Sequence, residues 1–191
     1  MVRIALLRGI NVGGHRRVPM AELRSALLDV GFETVETYIQ SGNAIVSGGP
    51  EDSAEAADTI GDLLLDRFGI DDVGVIVMSR ARLERARAVS AQAFPVGNGD
   101  PVEHAERVHI VVLAAPPSPT RRASLHPDEF APDRFILDIH EGTAEFHVAY
   151  AVGAGSSQLT LDRIERGFGV RATGRNLNTV DRLIDLAAST S

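Results

Sequence analysis

Two polar segments of this sequence combine arginine, asparagine and glycine in a pattern that suits the binding of an anion. The first follows a short apolar run at the N-terminus and contains Arg8, Asn11, Gly13, Gly14, Arg16 and Arg17. Glycine lets successive backbone N–H groups point at a ligand, and a guanidinium group pairs with two oxygens of a phosphate or carboxylate. We therefore expect this segment to bind an anionic group.

The second polar segment lies near the C-terminus, where Arg175 and Asn176 stand at the predicted start of a helix. A helix N-terminus offers free N–H groups and the positive end of the helix dipole, and both favour an anion. Ser156 and Ser157 follow two glycines at the predicted start of another helix and join the candidate set. A structural interpretation stays open, in which glycines shape turns, Ser and Asn cap helices, and arginines are solvated.

A different candidate lies on a predicted hairpin over residues 134–150. Apolar residues there alternate with polar ones, and a two- or four-residue turn places four polar side chains on one face: Asp138, His140, Glu145 and His147. In the two-residue case Asp138 faces Glu145, which is unfavourable unless something cationic sits between them. This set suits zinc or another divalent ion, but such a face normally contacts water. We assign no metal and keep this cluster as the alternative.

The composition excludes several kinds of chemistry. All 19 basic residues are Arg, Cys and Trp are absent, and the 26 acidic residues give a net charge of −7. Without Lys there is no Schiff base and no phosphate-loop lysine, and without Cys there is no thiolate nucleophile or disulfide. No Ser stands in a Gly-x-Ser-x-Gly elbow. The sequence therefore assigns neither a reaction nor a cofactor.

The sequence also restricts location and partners. No apolar run reaches the roughly 18 residues of a membrane span, and no secretory leader is visible, so we expect a cytoplasmic protein without membrane contact. The negative charge and the lack of aromatic residues in strands 4–7 and 44–46 disfavour nucleic acid. A run of arginines at helical spacing is expected to form a solvated face: Arg80, Arg82, Arg85 and Arg87. Edge strands of such sheets allow a monomer or a homodimer.

Hydrophobic periodicity predicts an α+β fold built from two ferredoxin-like (βαββαβ) subdomains in tandem. The first is expected over residues 1–79, a connector helix and loop over 80–106, and the second, with an extra C-terminal helix, over 107–191. The second half includes a predicted short helix at 120–125 and a helix over 157–168.

Three motifs carry a family resemblance. They are the opening LLRGINVGG at residues 6–14, YIQSGN at 38–43 and TGRNLNTV at 173–180. Over about residues 3–187 the chain resembles the DUF1697 family, a bacterial family of unknown function. The resemblance implies a two-subdomain α+β fold related to ferredoxin-like units. It adds four motif residues to the candidate ligand-binding set: Ser41, Asn43, Asn178 and Thr179.

We therefore expect a protein that binds an anionic small molecule, such as a nucleotide or a phosphorylated or carboxylated metabolite. One alternative is a protein-interaction or sensor module without catalysis. A further alternative is a nucleic-acid-binding module that uses a local arginine patch.

Overall fold

The computed structural model describes residues 1–11, 17–40, 42–96 and 104–190. The described helices are α1 (Met20–Asp29), α2 (Ser53–Phe68), α3 (Arg80–Ala93), α4 (Leu161–Phe168) and α5 (Leu177–Ser189). The described strands are β1 (Arg3–Arg8), β2 (Phe32–Tyr38), β3 (Asn43–Gly48), β4 (Gly74–Ser79), β5 (Val108–Leu113), β6 (Arg134–His140), β7 (Thr143–Ala149) and β8 (Ala172–Asn176). The α+β prediction is confirmed, with two four-stranded antiparallel sheets and five helices in the described residues.

The first compact unit comprises residues 1–83 and 182–191. Its sheet has the strand order β2-β3-β1-β4, and every neighbouring pair is antiparallel. Helices α1 and α2 bury one apolar stripe each against one face of this sheet. Helix α2 begins where the carboxylate of Asp52 accepts hydrogen bonds from Ala54 N and Glu55 N, and it ends at the left-handed Gly69. These caps hold the helix against the sheet that carries the first polar segment.

The second compact unit comprises residues 84–181. Its sheet has the order β6-β7-β5-β8, again antiparallel throughout, and α4 packs on one face. Strands β6 and β7 form a hairpin whose two-residue turn, Glu141-Gly142, has positive φ at both positions (46° and 76°). Such a turn matches the strand twist and fixes the register. The two-residue alternative for this hairpin is therefore confirmed.

Two predicted helices differ from the structure. No α-helix forms at 120–125; the chain makes 3-10 turns at Pro119–Arg121 and Pro127–Glu129, because the flanking prolines leave too few residues for a stable helix. Helix α4 begins at Leu161, capped by Thr160, and not at Ser157. None of the helices in the described ranges has the length and apolarity needed to cross a membrane.

Candidate functional site

The first polar segment and the YIQSGN motif are joined by the side chain of Asn11. Its Nδ2 donates to the carbonyl of Val18 at 3.0 Å and to the carbonyl of Gln40 at 2.9 Å. Its Oδ1 accepts from Val18 N at 2.8 Å. Both donors of the side-chain amide are therefore used inside the protein, so the Asn11 side chain positions the two loops and has no N–H left for a ligand.

Left-handed backbone marks both loops. Gly9 and Asn11 have φ of 80° and 56° in one loop, and Ile39 and Gly42 have φ of 49° and 84° in the other. Residue 42 must be a glycine because its backbone lies close to Leu7. A Cβ at this position would be 2.9 Å from both the Cβ and the carbonyl oxygen of Leu7. Ile39 is a β-branched residue in a region that such residues avoid, and it is 48% exposed. The two loops thus store backbone strain.

A cleft of about 440 Å³ opens beside these loops. Its described lining consists of Asn11, Arg17, Val18, Pro19 and Gln40, which we call the signature cleft. Arg17 is exposed and is the one charged side chain in this described lining. Four further candidates, Gly13, Gly14, Arg16 and Ser41, lie outside the described residues.

The remaining candidates of the first unit belong to its sheet. Arg8 is the last residue of β1, is half-buried and pairs with Gly74 of β4. Asn43 begins β3, is fully buried and donates from Nδ2 to the carbonyl of Tyr38 at 3.1 Å. Asn43 therefore closes the base of the 38–43 loop.

In the second unit, the serine pair is engaged internally. Ser157 Oγ donates to Asp133 Oδ2 at 2.5 Å and accepts from Leu159 N at 2.8 Å. The backbone N–H of Ser156 donates to Gly153 O, and that of Ser157 to Ala154 O. The predicted anion site at a helix start does not form here, because α4 begins four residues later and these donors are already used.

Of the C-terminal pair, Asn176 stands at the start of α5 as expected, whereas Arg175 lies further from the helix than predicted. Arg175 lies within β8, and its guanidinium donates to Thr173 Oγ1 at 2.9 Å and to the carbonyl of Gly174 at 2.8 Å. Burial lowers the pKa of Arg175 to about 10. Asn176 ends β8, and its Oδ1 accepts from Thr179 N at 2.9 Å, so it caps α5. Asn178 is exposed in the first turn of α5.

Strands β6 and β7 pair in the predicted register, but part of the polar face of this hairpin is buried. Asp138 pairs directly with Glu145, as the two-residue turn requires. The expectation that this face contacts water is wrong for Glu145 and His147, which are both fully buried. Arg85 of α3 bonds to both carboxylates, so the cation between them is a guanidinium. Burial by itself would lower the pKa of Arg85. The hydrogen bonds to Asp138 and Glu145 and their negative charges outweigh burial, so the pKa of Arg85 is raised.

His147 lies beside this ion cluster. Its Nδ1 is 2.7 Å from Ser90 Oγ, and its Nε2 has no hydrogen-bond partner among the described residues. Burial lowers the pKa of His147 to about 4. The negative charge of Asp138 opposes this shift, and the positive charge of Arg85 adds to it. The imidazole is therefore neutral at physiological pH.

The solvated-face interpretation of the arginine run is wrong for two of its members. Arg85 forms the cluster just described, and Arg87 pairs with Asp181 through Nε at 2.6 Å and Nη2 at 3.3 Å. His140, the fourth member of the metal alternative, is exposed at the strand end and lies 3.7 Å from Glu141. Within the described ranges, no three His, Asp or Glu side chains are arranged to hold a metal ion.

Sequence reasoning missed Asp133, Ser90 and the role of Arg85. Asp133 stands between Pro132 and Arg134 with no motif around it, and its partners Ala151 and Ser157 are distant in sequence. The facing carboxylates of Asp138 and Glu145 indicated that a cation must lie between them, but the sequence did not show that this cation is Arg85.

The fold and the site together define an α+β protein of two antiparallel-sheet units, the first bearing a loop-built polar cleft. The family model described as "Protein of unknown function (DUF1697)" matches residues 1–141, and the chain belongs to this family. The identification made from the motifs is confirmed, although the C-terminal motif at 173–180 lies beyond the matched residues.

One solved structure resembles the chain along nearly its whole length. It is the conserved bacterial protein SP0830 from Streptococcus pneumoniae, with a TM-score of 0.64 and 19% sequence identity. The similarity covers 97% of this chain and 98% of that one, and at this identity it shows the fold alone. No curated protein matches the chain.

Proposed function

We propose that this protein binds a small anionic molecule, such as a nucleotide or a phosphorylated or carboxylated metabolite, in the signature cleft of its first unit. The observation that carries the proposal is the electrostatic character of the cleft: Arg17 is the one charged side chain in its described lining. A guanidinium with no carboxylate beside it among the described lining residues attracts an anion and pairs with two of its oxygens.

The construction of the loops supports the same proposal. Asn11 holds both loops in place through three hydrogen bonds, and Ile39 keeps a backbone conformation that costs energy. Strained backbone that the surrounding structure enforces is concentrated at ligand sites, because there the geometry serves binding. In this proposal Arg17 contacts the anion, Asn11 and Asn43 position the loops, and Gly13, Gly14, Arg16 and Ser41 complete the site.

The proposal is restricted to the first unit. The candidate residues of the second unit use polar groups for bonds within the protein, since Ser157 bonds to Asp133 and Asn176 caps α5. Arg175 is likewise bonded to Thr173 and Gly174. Arg8 is proposed as the second guanidinium near the cleft, at the end of the strand from which the first loop departs.

We also propose that each unit is ferredoxin-like, with the subdomain boundaries expected from the sequence at 1–79 and 107–191. The strand order β2-β3-β1-β4 with two helices on one face supports this assignment for the first unit. The order β6-β7-β5-β8 supports it for the second, in which 3-10 turns replace the first helix.

Calorimetric titration tests the binding proposal. AMP, inorganic phosphate and citrate are titrated into the wild type, Arg17→Ala, Arg17→Lys and the control Arg24→Ala, which removes an exposed arginine from α1. We expect at least one anion to bind the wild type and Arg24→Ala equally. Loss of a charge-assisted pair of about 1.5–3 kcal/mol lowers the affinity of Arg17→Ala by roughly 10- to 100-fold, and Arg17→Lys keeps part of it.

Equal affinities of Arg17→Ala and Arg24→Ala contradict the assignment of the site. If none of the anions binds the wild type, the non-catalytic interaction module is favoured over this proposal. Salt-dependent binding of a short RNA or DNA would favour the nucleic-acid alternative.

A further inference from the structure

The first unit has a groove between α1 and α2 that the proposed function does not use. Its volume is about 340 Å³, and its lining residues fall within 26–30 and 59–67. The apolar part of the lining consists of Ala26 and Leu63, which are buried, and Val30, which is 41% exposed. Three carboxylates border this apolar surface, which we call the acidic groove: Asp29, Asp62 and Asp66.

The hydrogen-bond donors of the described lining, apart from those of Arg67, are already used within the protein. The lining residues lie beyond the first turn of each helix, so their backbone N–H groups donate to carbonyls of the same helix. This includes Val30, whose N–H donates to the carbonyl of Ala26 at 3.2 Å. The hydroxyl of Thr59 donates to the carbonyl of Glu55 at 2.9 Å. The groove therefore offers a ligand mainly acceptors.

The charges of the groove are not balanced. Carboxylates outnumber guanidinium groups three to one in the described lining, and the guanidinium of Arg67 lies 3.7 Å from the carboxylate of Asp29. The side chains of Asp62 and Asp66 make no hydrogen bond or ion pair with any residue that the structure describes. Two negative charges thus remain beside the apolar surface, which suits a ligand that is both cationic and apolar.

Negative charge also extends along α2. Asp58, Asp62 and Asp66 are all exposed and recur every four residues, about 6 Å apart along the helix axis. Like charges at this spacing destabilise a helix. Residues 51–72 contain eight acidic residues and one arginine. A partner with cations at the same spacing would relieve this repulsion and be attracted by the surrounding charge.

Two neighbouring features have the same character. The C-terminal end of a helix carries a partial negative charge, which basic residues of the last turn normally offset. Helix α1 has no basic residue in its last turn and ends with Asp29. In addition, Asp58 and Asp62 border a second hollow of about 430 Å³, whose other described lining residues are apolar or glycine.

We propose that the acidic groove binds a basic amphipathic helix of a partner protein. Apolar side chains of that helix contact Val30 and Leu63, and its lysine or arginine residues pair with Asp62 and Asp66. Recognition of a helix in a groove uses side chains three or four residues apart, and this spacing matches that of the carboxylates on α2. The acidic groove shares no described lining residue with the signature cleft, and the two ligands have opposite charges.

Four synthetic peptides of equal length test the proposal. The first presents lysine and leucine on opposite faces of a helix, and the others replace its lysines with glutamate, its leucines with serine, or two central residues with proline. Each is titrated into the full chain while the amide NMR signals of residues 26–31 and 58–67 are followed. We expect the first peptide to shift these signals and the other three to bind at least tenfold more weakly. Equal binding by any of the three, or no shift with the first, overturns the proposal.

Charge reversal at two exposed positions locates the binding surface. Asp62→Arg and Asp185→Arg change the net charge equally, the first in the groove and the second on α5 outside its described lining. Asp62→Arg should weaken binding of the lysine–leucine peptide at least tenfold, whereas Asp185→Arg should weaken it by less than about twofold because salt screens a distant charge. Equal effects of the two variants contradict binding in the acidic groove.

The apolar contact has its own pair of variants. Val30 and Leu28 are exposed to a similar extent, 41% and 45%, but only Val30 belongs to the described lining. Val30→Ser should weaken binding of the lysine–leucine peptide roughly three- to tenfold, and Leu28→Ser should leave it nearly unchanged. The opposite order would show that the peptide lies elsewhere.

Asp62→Asn separates binding from stability. Loss of the repulsion from Asp58 and Asp66 should raise the Tm of the free protein, while the affinity for the lysine–leucine peptide falls. A lower Tm would mean that Asp62 has a structural role and would contradict the proposal.

Sedimentation of the chain without peptide tests a different occupant. Self-association that Asp62→Arg abolishes would show that a second copy of the chain occupies the groove, and this would overturn the proposal. Arg17→Ala should leave peptide binding unchanged, so failure of the anion proposal and failure of this one are distinguishable.

Discussion

The side chain of Asn11 donates to the carbonyl of Gln40 at 2.9 Å across 29 positions of sequence. The bond joins two of the motifs by which the family was identified, and the same amide also bonds twice to the backbone of Val18. One residue thus sets the distance between the two walls of the signature cleft. The stability of the loops and the binding of a ligand should both depend on it.

Replacing Asn11 with Ala should lower the free energy of unfolding by about 2–4 kcal/mol. Three hydrogen bonds of about 1 kcal/mol each are lost, and alanine is less tolerant of φ 56° than asparagine. Urea unfolding measures the loss. Asn178→Ala, at an exposed position of α5, is the control and should change stability by less than about 0.5 kcal/mol. Equal effects of the two substitutions would show that Asn11 does not hold the loops.

Two glycines should respond to alanine in opposite directions. Gly42 has φ 84°, and its Cβ would meet Leu7 at 2.9 Å, so Gly42→Ala should destabilise the fold by about 2 kcal/mol or more. Gly61 lies inside α2 with open space around it, and Gly61→Ala should stabilise by roughly 0.5–1 kcal/mol. Thermal unfolding of both variants checks the signs. A tolerated alanine at residue 42 would contradict the close contact between the β1 end and the 38–43 loop.

Removal of Arg85 should take away the guanidinium that bonds to both Asp138 and Glu145, two carboxylates that face each other across the hairpin. We expect Arg85→Met to cost about 3–5 kcal/mol at neutral pH, because Glu145 is fully buried. The double variant Arg85→Met with Glu145→Gln should recover a large part of this loss. Arg87→Ala removes a more exposed pair and should cost about 1 kcal/mol or less. A double variant no more stable than Arg85→Met would contradict charge repulsion as the cause.

His147 should make stability depend on pH. Its folded pKa of about 4 lies below the usual 6.5, so the unfolded chain binds more protons between these values. Stability from this residue is therefore present above pH 6.5 and is lost as the pH falls towards 4, to a limit of roughly 3 kcal/mol. Between pH 4.5 and 7.5, the urea concentration at the unfolding midpoint should rise with pH less steeply in His147→Gln than in the wild type. His140 is exposed, and His140→Gln is the control, which should keep the pH dependence of the wild type. An equal change of slope in His147→Gln and His140→Gln would refute the assignment of the pH dependence to His147.

The β6–β7 hairpin shows how far sequence reasoning extends. Alternation of apolar residues and a two-residue turn fix which side chains share a face, so the pairing of Asp138 with Glu145 was predictable. The cation between them was not, because Arg85 is 53 and 60 residues away and its position depends on the packing of α3. Local periodicity determines register, whereas tertiary packing determines what covers a face.

The predicted start of α4 at Ser157 was wrong for a related reason. Ser157 has the side chain of a capping residue, but it bonds to Asp133, and Thr160 caps α4 instead. Asn176 does cap a helix, as the structural interpretation of the motif allowed. A polar residue near a helix start serves either purpose, and the choice depends on neighbours that are distant in sequence.

The most direct test of the central claim is the location of ligand-induced shifts in an amide NMR titration with AMP and inorganic phosphate. Binding in the signature cleft should shift the amide signals of residues 8–11, 17, 18 and 38–43 in the wild type and in Arg24→Ala, and the shifts should vanish in Arg17→Ala. Shifts that fall elsewhere, or that persist in Arg17→Ala, would contradict anion binding by this cleft.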